Sequence, residues 1–459
     1  MSTSTAPIYL AGHLAPVPDE IDARELPITG ALPAELTGRY LRNGPNPLPG
    51  EDPGHWFTGH GMLHGIRLRD GRAEWYRNRW VRTRAFAGRP FIRPDGTLDR
   101  TAVNANTHVI GHAGKILALV ESGFPYEVTD ELDTVGPCDF GGALTTAMTA
   151  HPKTDPTTGE LHFFGYGFTP PYVTYHRLAP DGQLVESAPI QVPGPTMMHD
   201  FAVTEHHAVF LDLPMTFQLR KGMPFDWDDE YGARLGVMRL DRPGEVRWFE
   251  IDPCYVFHVG NAHDDEAGRI VLDVARYAPA DIVALWGPLG GAEATGPAGP
   301  AATAAASGLA RLHRFTLDPV SGSVTETPLD ERGIEFPTVD DDRIGRAGRY
   351  LYAVGDAGLA SGDNAIIRFD AQDGTASAHE LGRDHVAGEA VFVAAATPDR
   401  AEDDGWLLSI VTRRDGTASE LLVLDATDVA GAPVATVTLP RGVPAGFHGS
   451  WIPDAAADR

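Results

Sequence analysis

Thiols are scarce in this chain. Cys138 and Cys254 are the two cysteines among 459 residues, too few for a disulfide framework, and no cationic-then-apolar leader follows Met1. A reducing, cytoplasmic setting is the expectation. Positive charge is in deficit as well: 37 basic residues against 63 acidic ones give a formal net charge of -26. Such a surface repels phosphate backbones and offers no basic stripe, which excludes nucleic acid as a partner. No apolar run approaches the roughly 18 residues of a spanning helix, so any membrane contact is peripheral and weak, at the inner face.

Sustained helical periodicity is also missing, with "ADIVALWGPL" (280–289) the one segment that reads as a short helix. What fills the chain instead is a series of short β-branched and aromatic runs: "KILALVE" (115–121), "ELHFFGYGF" (160–168), "HAVFLDLP" (207–214), "RIVLDVARY" (269–277), "RLHRFTL" (311–317), "GWLLSIVTR" (405–413) and "ELLVLDA" (420–426). These read as strands. Asp-Gly pairs at 70–71, 95–96, 181–182, 373–374 and 415–416 sit beside such runs and suit tight hairpins, so the sheets are expected to be antiparallel. No composition break divides the chain. One all-β domain over 1–459 is expected, with residues 1–35 as an extension packed on it and the Ala/Gly/Pro-rich stretch 290–308 as a surface loop.

Four histidines share one kind of setting, each near a strand edge beside small or turn-forming residues: "TAHPKTDPTTGE" at His151, "MMHDFAV" at His199, "FHVGNAHDD" at His258 and "AGFHGSW" at His448. The first three are spaced like the blades of a radial β-fold, at about 40 to 50 residues per blade, and the last gap leaves room for further units. Sandwich and barrel remain open on this pattern alone. Imidazoles converging from several blades would make an all-nitrogen metal site suited to Fe, Zn, Cu or Ni. Such a site needs acceptors outside it to orient the rings, and Glu121, Glu335 and Glu389 are acids embedded in apolar strands.

On those four histidine motifs, together with "LTGRYLRNGPNP" (36–47) and "HWFTGHGMLHGIRLRDG" (55–71), the chain resembles the carotenoid cleavage oxygenases. That family includes apocarotenoid oxygenases, lignostilbene dioxygenases and the retinoid isomerase of the visual cycle. The resemblance implies a seven-bladed β-propeller, capped on one face by loops and short helices that form a substrate tunnel. It implies Fe(2+) held by His151, His199, His258 and His448, with Glu121 orienting His199, Glu335 orienting His258 and Glu389 orienting His448, while His151 has no carboxylate. His55, His60 and His64 cluster in a way that suggests zinc, but the resemblance gives His64 a structural role.

The reaction so implied is cleavage of a conjugated double bond by dioxygen into two carbonyl products. Thr107 would lie beside an open iron position, and Phe57, Val120, Phe336 and Phe447 would line the tunnel. Val120 is informative, because relatives that cleave lignostilbene or isoeugenol carry lysine directly before the glutamate to engage a phenol. An apolar residue there favours a hydrophobic polyene, a carotenoid or apocarotenoid, over a stilbene or other phenylpropanoid. A non-cleaving polyene isomerase on the same iron, and a propeller that binds partners without chemistry, are the rival classes. The segments 213–227 and 279–291 are candidate apolar patches at the tunnel mouth. The sequence leaves the cleaved bond and the oligomeric state open.

Overall fold

In a computed structural model, residues 7–218, 223–290, 307–355 and 362–454 are described. The Ala/Gly/Pro-rich stretch lies mostly outside them, at 291–306. Antiparallel meanders follow one another along the chain. The first sheet is built on Gly38–Pro45, Gly61–Arg69 and Arg72–Trp80, and the second on His108–His112, Lys115–Leu119, Tyr126–Val128 and Thr134–Pro137. Lys153–Thr154 opens the third, Phe201–Val203 the fourth and Tyr255–Asp264 a fifth of seven strands. The sixth contains Gly405–Arg413, Ser419–Asp425 and Ala435–Thr438.

Pairing thus joins the strands into six sheets of four or more strands among the described residues, and a small ribbon of Met215–Phe217 with Phe225–Trp227 stands apart. The seven-stranded sheet is continuous because the long strand Val324–Thr338 pairs with Ala310–Leu317 through its first part and with Tyr350–Gly355 through its last. Dividing it at that strand would bring the number of units to seven, a division that the hydrogen bonds do not themselves draw.

The expected runs form strands, and four of the five Asp-Gly pairs turn them, whereas Asp95-Gly96 lies in a loop closed by the single bridge Ile92–Leu98. Asp70 and Gly71 adopt φ of 50° and 70° between Gly61–Arg69 and Arg72–Trp80, the double positive φ of a two-residue hairpin. The apolar segment at 280–289 forms the helix Pro279–Trp286, with Pro279 at its first turn where a missing N–H costs nothing. The chain ends close the ring. Gly449–Pro453 pairs with Gly38–Pro45, and Ile28–Gly30 pairs with Ala435–Thr438, so the first and last sheets each take a strand from the opposite end.

Alternation along the strands buries aromatic and branched side chains between neighbouring sheets. Phe164, Tyr175, Phe201 and Phe210, all fully or almost fully buried, fill the space between the third and fourth sheets. Edge strands of neighbouring sheets approach one another: Phe201–Val203 lies against Tyr255–Asp264, and Gly449–Pro453 against His108–His112. Whatever these strands carry near their starts is therefore brought to one place.

Candidate metal centre and its cavity

His151 stands two residues before Lys153–Thr154, His199 two before Phe201–Val203, and His448 one before Gly449–Pro453. His258 lies inside Tyr255–Asp264, at a register irregularity between Val256 and Val259 that re-aims its ring. The four imidazoles meet. One ligand nitrogen from each lies within 4.8 Å of the others, the group among the described residues able to hold a metal ion. Nε2 of His151 and Nε2 of His199 are 3.0 Å apart, and Nε2 of both His258 and His448 is buried without a hydrogen-bond partner. Buried nitrogens are rarely left so, and four converging lone pairs fit a borderline divalent cation.

The acids lie behind the rings. Glu121 Oε1 contacts His199 Nδ1, and its Oε2 accepts from the Tyr166 hydroxyl at 2.6 Å. Glu335 Oε2 accepts from His258 Nδ1 at 2.5 Å and from the Phe336 N–H at 2.8 Å, while its Oε1 accepts from the Tyr277 hydroxyl at 2.8 Å. Glu389 Oε1 accepts from His448 Nδ1 at 2.9 Å and its Oε2 from the Gly449 N–H at 2.8 Å. Each carboxylate faces an Nδ1, which favours keeping the proton on that nitrogen and leaves the Nε2 lone pair facing the centre. Glu335 belongs to a strand, whereas Glu121 follows Lys115–Leu119 and Glu389 falls in the gap between two short strands.

The electrostatics agree with neutral donors at His151 and His448. Burial, then the neighbouring His199, His448 and His258, holds His151 well below the usual imidazole range. Burial also lowers His448, against the pull of Glu389. His199 goes the other way, since burial opposes its charge but Glu121 outweighs it. Burial works to raise Glu335 and Glu389, yet His258 and His448 beside them keep both below the ordinary carboxyl value.

Two further residues tie the ligand strands together, and sequence reasoning missed both. Asp200 is 2 % exposed; its Oδ1 accepts from the Phe201 N–H at 2.7 Å and pairs with Lys153 Nζ at 2.8 Å, and its Oδ2 accepts from the Val259 N–H at 2.8 Å. One carboxylate thereby links the strands of His151, His199 and His258. His108 Nδ1 lies 2.8 Å from the Ala150 carbonyl, and its Nε2 is 3.3 Å from the Ser450 hydroxyl, so it spans the neighbours of His151 and His448. Burial pushes its pKa down to about 4, which fits a neutral ring donating through Nδ1. The available signal was position, Asp200 directly after His199 and His108 directly after Thr107.

A cavity of about 670 Å³ adjoins the centre, with His199, His258 and His448 on its wall. Thr107, Phe57, Val120, Phe336 and Phe447 all line it. Thr107 is also tied to a ligand segment, because its carbonyl accepts from the His448 N–H at 3.1 Å. Phe336 stacks on His258 with ring centroids 5.2 Å apart and holds φ at 52°, backbone strain of the kind found at binding sites. The segments expected to form outward apolar patches turn inward over much of their described length. Phe217, Met223, Phe225, Leu285 and Leu289 line the cavity, while Val283 is 40 % exposed. Ile92, 61 % exposed, also lines it and marks an opening.

The other histidine group does not converge. His64 Nδ1 pairs with the Tyr76 hydroxyl at 2.9 Å, His55 Nδ1 accepts from the Phe57 N–H, and His60 sits 3.7 Å from Glu51. Each has a separate local role.

Residues 14–453 match the model of the retinal pigment epithelial membrane protein family. The chain belongs to that family. A carotenoid cleavage oxygenase from Mycobacterium tuberculosis is 39 % identical over 97 % of both chains. A lignostilbene dioxygenase from Pseudomonas brassicacearum superimposes with a TM-score of 0.84 at 28 % identity, covering 98 % of this chain and 99 % of its own. A cobalt-substituted apocarotenoid oxygenase from Synechocystis gives a TM-score of 0.81 at 28 % identity, covering 97 % and 98 %. The fold of this member of the retinal pigment epithelial membrane protein family is a β-propeller, and the ring of sheets closed by the two chain ends is its body.

Proposed function

We propose that the protein is an iron(II) dioxygenase that cleaves a conjugated C=C bond of a carotenoid or apocarotenoid into two carbonyl fragments. The observation that carries this reading is the opening of an all-histidine centre, backed by three carboxylates, onto a cavity walled by aromatic and aliphatic side chains. The M. tuberculosis relative is named a carotenoid cleavage oxygenase and the Synechocystis one an apocarotenoid oxygenase, which supports both the reaction and the substrate class.

His151, His199, His258 and His448 would hold the iron, which when bound would activate dioxygen, the electrons that reduce it coming from the C=C bond that is broken. Both oxygen atoms are then accounted for, one in each carbonyl product. The chain's own residues do the rest. Glu121, Glu335 and Glu389 fix the rings, Thr107 presents a small polar group beside them, and Phe57, Phe336 and Phe447 hold the polyene in a dry site so that positioning lowers the barrier.

Val120 places an apolar group where a phenol would need a cation, which favours a polyene. The structural likeness to a lignostilbene dioxygenase keeps stilbenes as the second reading. Substrate would enter from a bilayer near Ile92, the protein remaining cytoplasmic with weak apolar contact at the membrane's inner face. Liposome flotation that finds no association, with or without carotenoid, counts against that contact.

The deciding experiment is anaerobic loading with iron(II), then aerobic incubation with carotenoids, apocarotenals and hydroxystilbenes, with products weighed by mass spectrometry. Shortened aldehydes or ketones from a polyene are expected. Stilbene cleavage alone would reverse the substrate assignment, and a product of unchanged mass would make the protein an isomerase.

A further inference from the structure

The strand Gly38–Pro45 buries a cation. Arg42 is 2 % exposed and lines the same cavity as His258, His448 and Phe447. Its Nη2 donates to the Pro444 carbonyl at 2.5 Å, and its Nε has no hydrogen-bond partner. No carboxylate figures among the groups acting on its charge. Burial lowers its pKa to about 10, opposed by the Tyr40 and Tyr76 hydroxyls. The guanidinium is therefore charged at neutral pH, out of water and without a counter-ion, an arrangement that is costly unless something completes it.

Glycines make room for the guanidinium itself. A Cβ on Gly446 would come within 2.8 Å of Arg42 Cζ and 3.0 Å of Nε, and one on Gly388 would lie 3.9 Å from Cδ. Gly446 precedes Phe447 and His448, and Gly388 precedes Glu389. The guanidinium thus sits between the two loops that bring a ligand and its carboxylate to the centre. A hydrocarbon leaves its free N–H groups unsatisfied. A carboxylate offers two coplanar oxygens that match the guanidinium fork.

We propose that Arg42 recognises the end group of a carboxylate-terminated polyene, at the part of the cavity walled by Gly388, Ile410 and Gly446. This rests on the polyene reading given above and adds an end-group preference to it. The polyene acid gains a charge-assisted pair that its ester and alcohol cannot form.

The test is equilibrium binding without turnover. Metal-loaded protein is titrated anaerobically with a polyene carboxylic acid, its methyl ester and the matching alcohol, followed by tryptophan quenching. Wild type is expected to bind the acid about tenfold more tightly than the ester, the range of one charged hydrogen-bonded pair. R42Q should abolish that preference while leaving ester affinity and metal content unchanged, and R42K should keep part of it, which covers a poorly folding R42Q. Equal binding of acid and ester by wild type, or equal weakening of both in R42Q, overturns the proposal. Metal loss in folded R42Q also overturns it, by making Arg42 a support for Glu389 and His448. Displacement of the acid by acetate at millimolar concentration would reveal a small-anion site and overturn the polyene assignment. Failure of acid, ester and alcohol alike to bind would instead sink the polyene reading, a separate result.

Discussion

Removing the His258 imidazole opens a gap that the other rings cannot close, because His199 and His448 are each held from behind by their own carboxylate. His258 is held by Glu335, and Tyr277 and the Phe336 N–H hold Glu335 in turn. H258A is therefore expected to lose bound metal and activity while remaining folded. H64A should retain metal, since His64 bonds Tyr76 outside the group of four. Metal analysis of both purified variants checks the pair, and equal loss in each would contradict the division. E389Q is milder: an amide still occupies the place but holds the Nδ1 proton of His448 less strongly. Affinity for iron should fall about 10–100-fold, measured by competition with a chelator, and an unchanged value would remove Glu389 from the centre. The histidine motifs and their acids were legible because metal sites constrain residue type and neighbours together. Asp200, His108 and Arg42 were not, because a carboxylate, imidazole or guanidinium turned inward reads in sequence like any surface one until its strand partners are known.

At the scale of the element, hydrophobic alternation and Asp-Gly turns locate most strands, but they do not show where strands are irregular. The register irregularities between Val256 and Val259 and between Glu335 and Thr338 fall at His258 and Phe336, and no residue type marks either in advance. Glycine separates into two roles that sequence likewise cannot distinguish. Gly374 takes φ of 64° in a turn with nothing within 4 Å of the place an added methyl group would occupy, so G374A carries only the backbone strain, about 1–2 kcal/mol. Gly61 lies where a Cβ would approach the Ala105 carbonyl oxygen to 2.2 Å, and main chain cannot give way there. G61A is expected to destabilise well beyond G374A, or to leave no soluble protein, and it should disturb the neighbouring Asn106–Thr107 wall. Denaturant unfolding of the two variants tests this; similar midpoints would show that the 61 and 105 segments can separate.

For the whole molecule, ring closure and the metal centre depend on the same strand. Gly449–Pro453 completes the first sheet immediately after His448, so whatever anchors that strand also anchors a ligand. The anchor is Asp454. Its carboxylate accepts from Arg39 at 3.1 Å and Arg69 at 3.0 Å and is paired with Arg67, reaching two strands of the opposite chain end. Burial works to raise its pKa, but Arg67 and Arg69 outweigh that and keep it below 3.8. A carboxyl depressed in the folded state contributes stability above its unfolded pKa and loses it as pH falls through the folded one. D454N should therefore cost about 1–3 kcal/mol at neutral pH, and the difference in unfolding midpoint from wild type should shrink as pH drops below about 4. A gap that stays constant down to pH 3 would mean that the charge of Asp454 does not hold the ring shut. If the latch does hold it, metal bound between sheets and the closed ring stabilise each other, and iron should raise the midpoint of D454N as well as that of wild type.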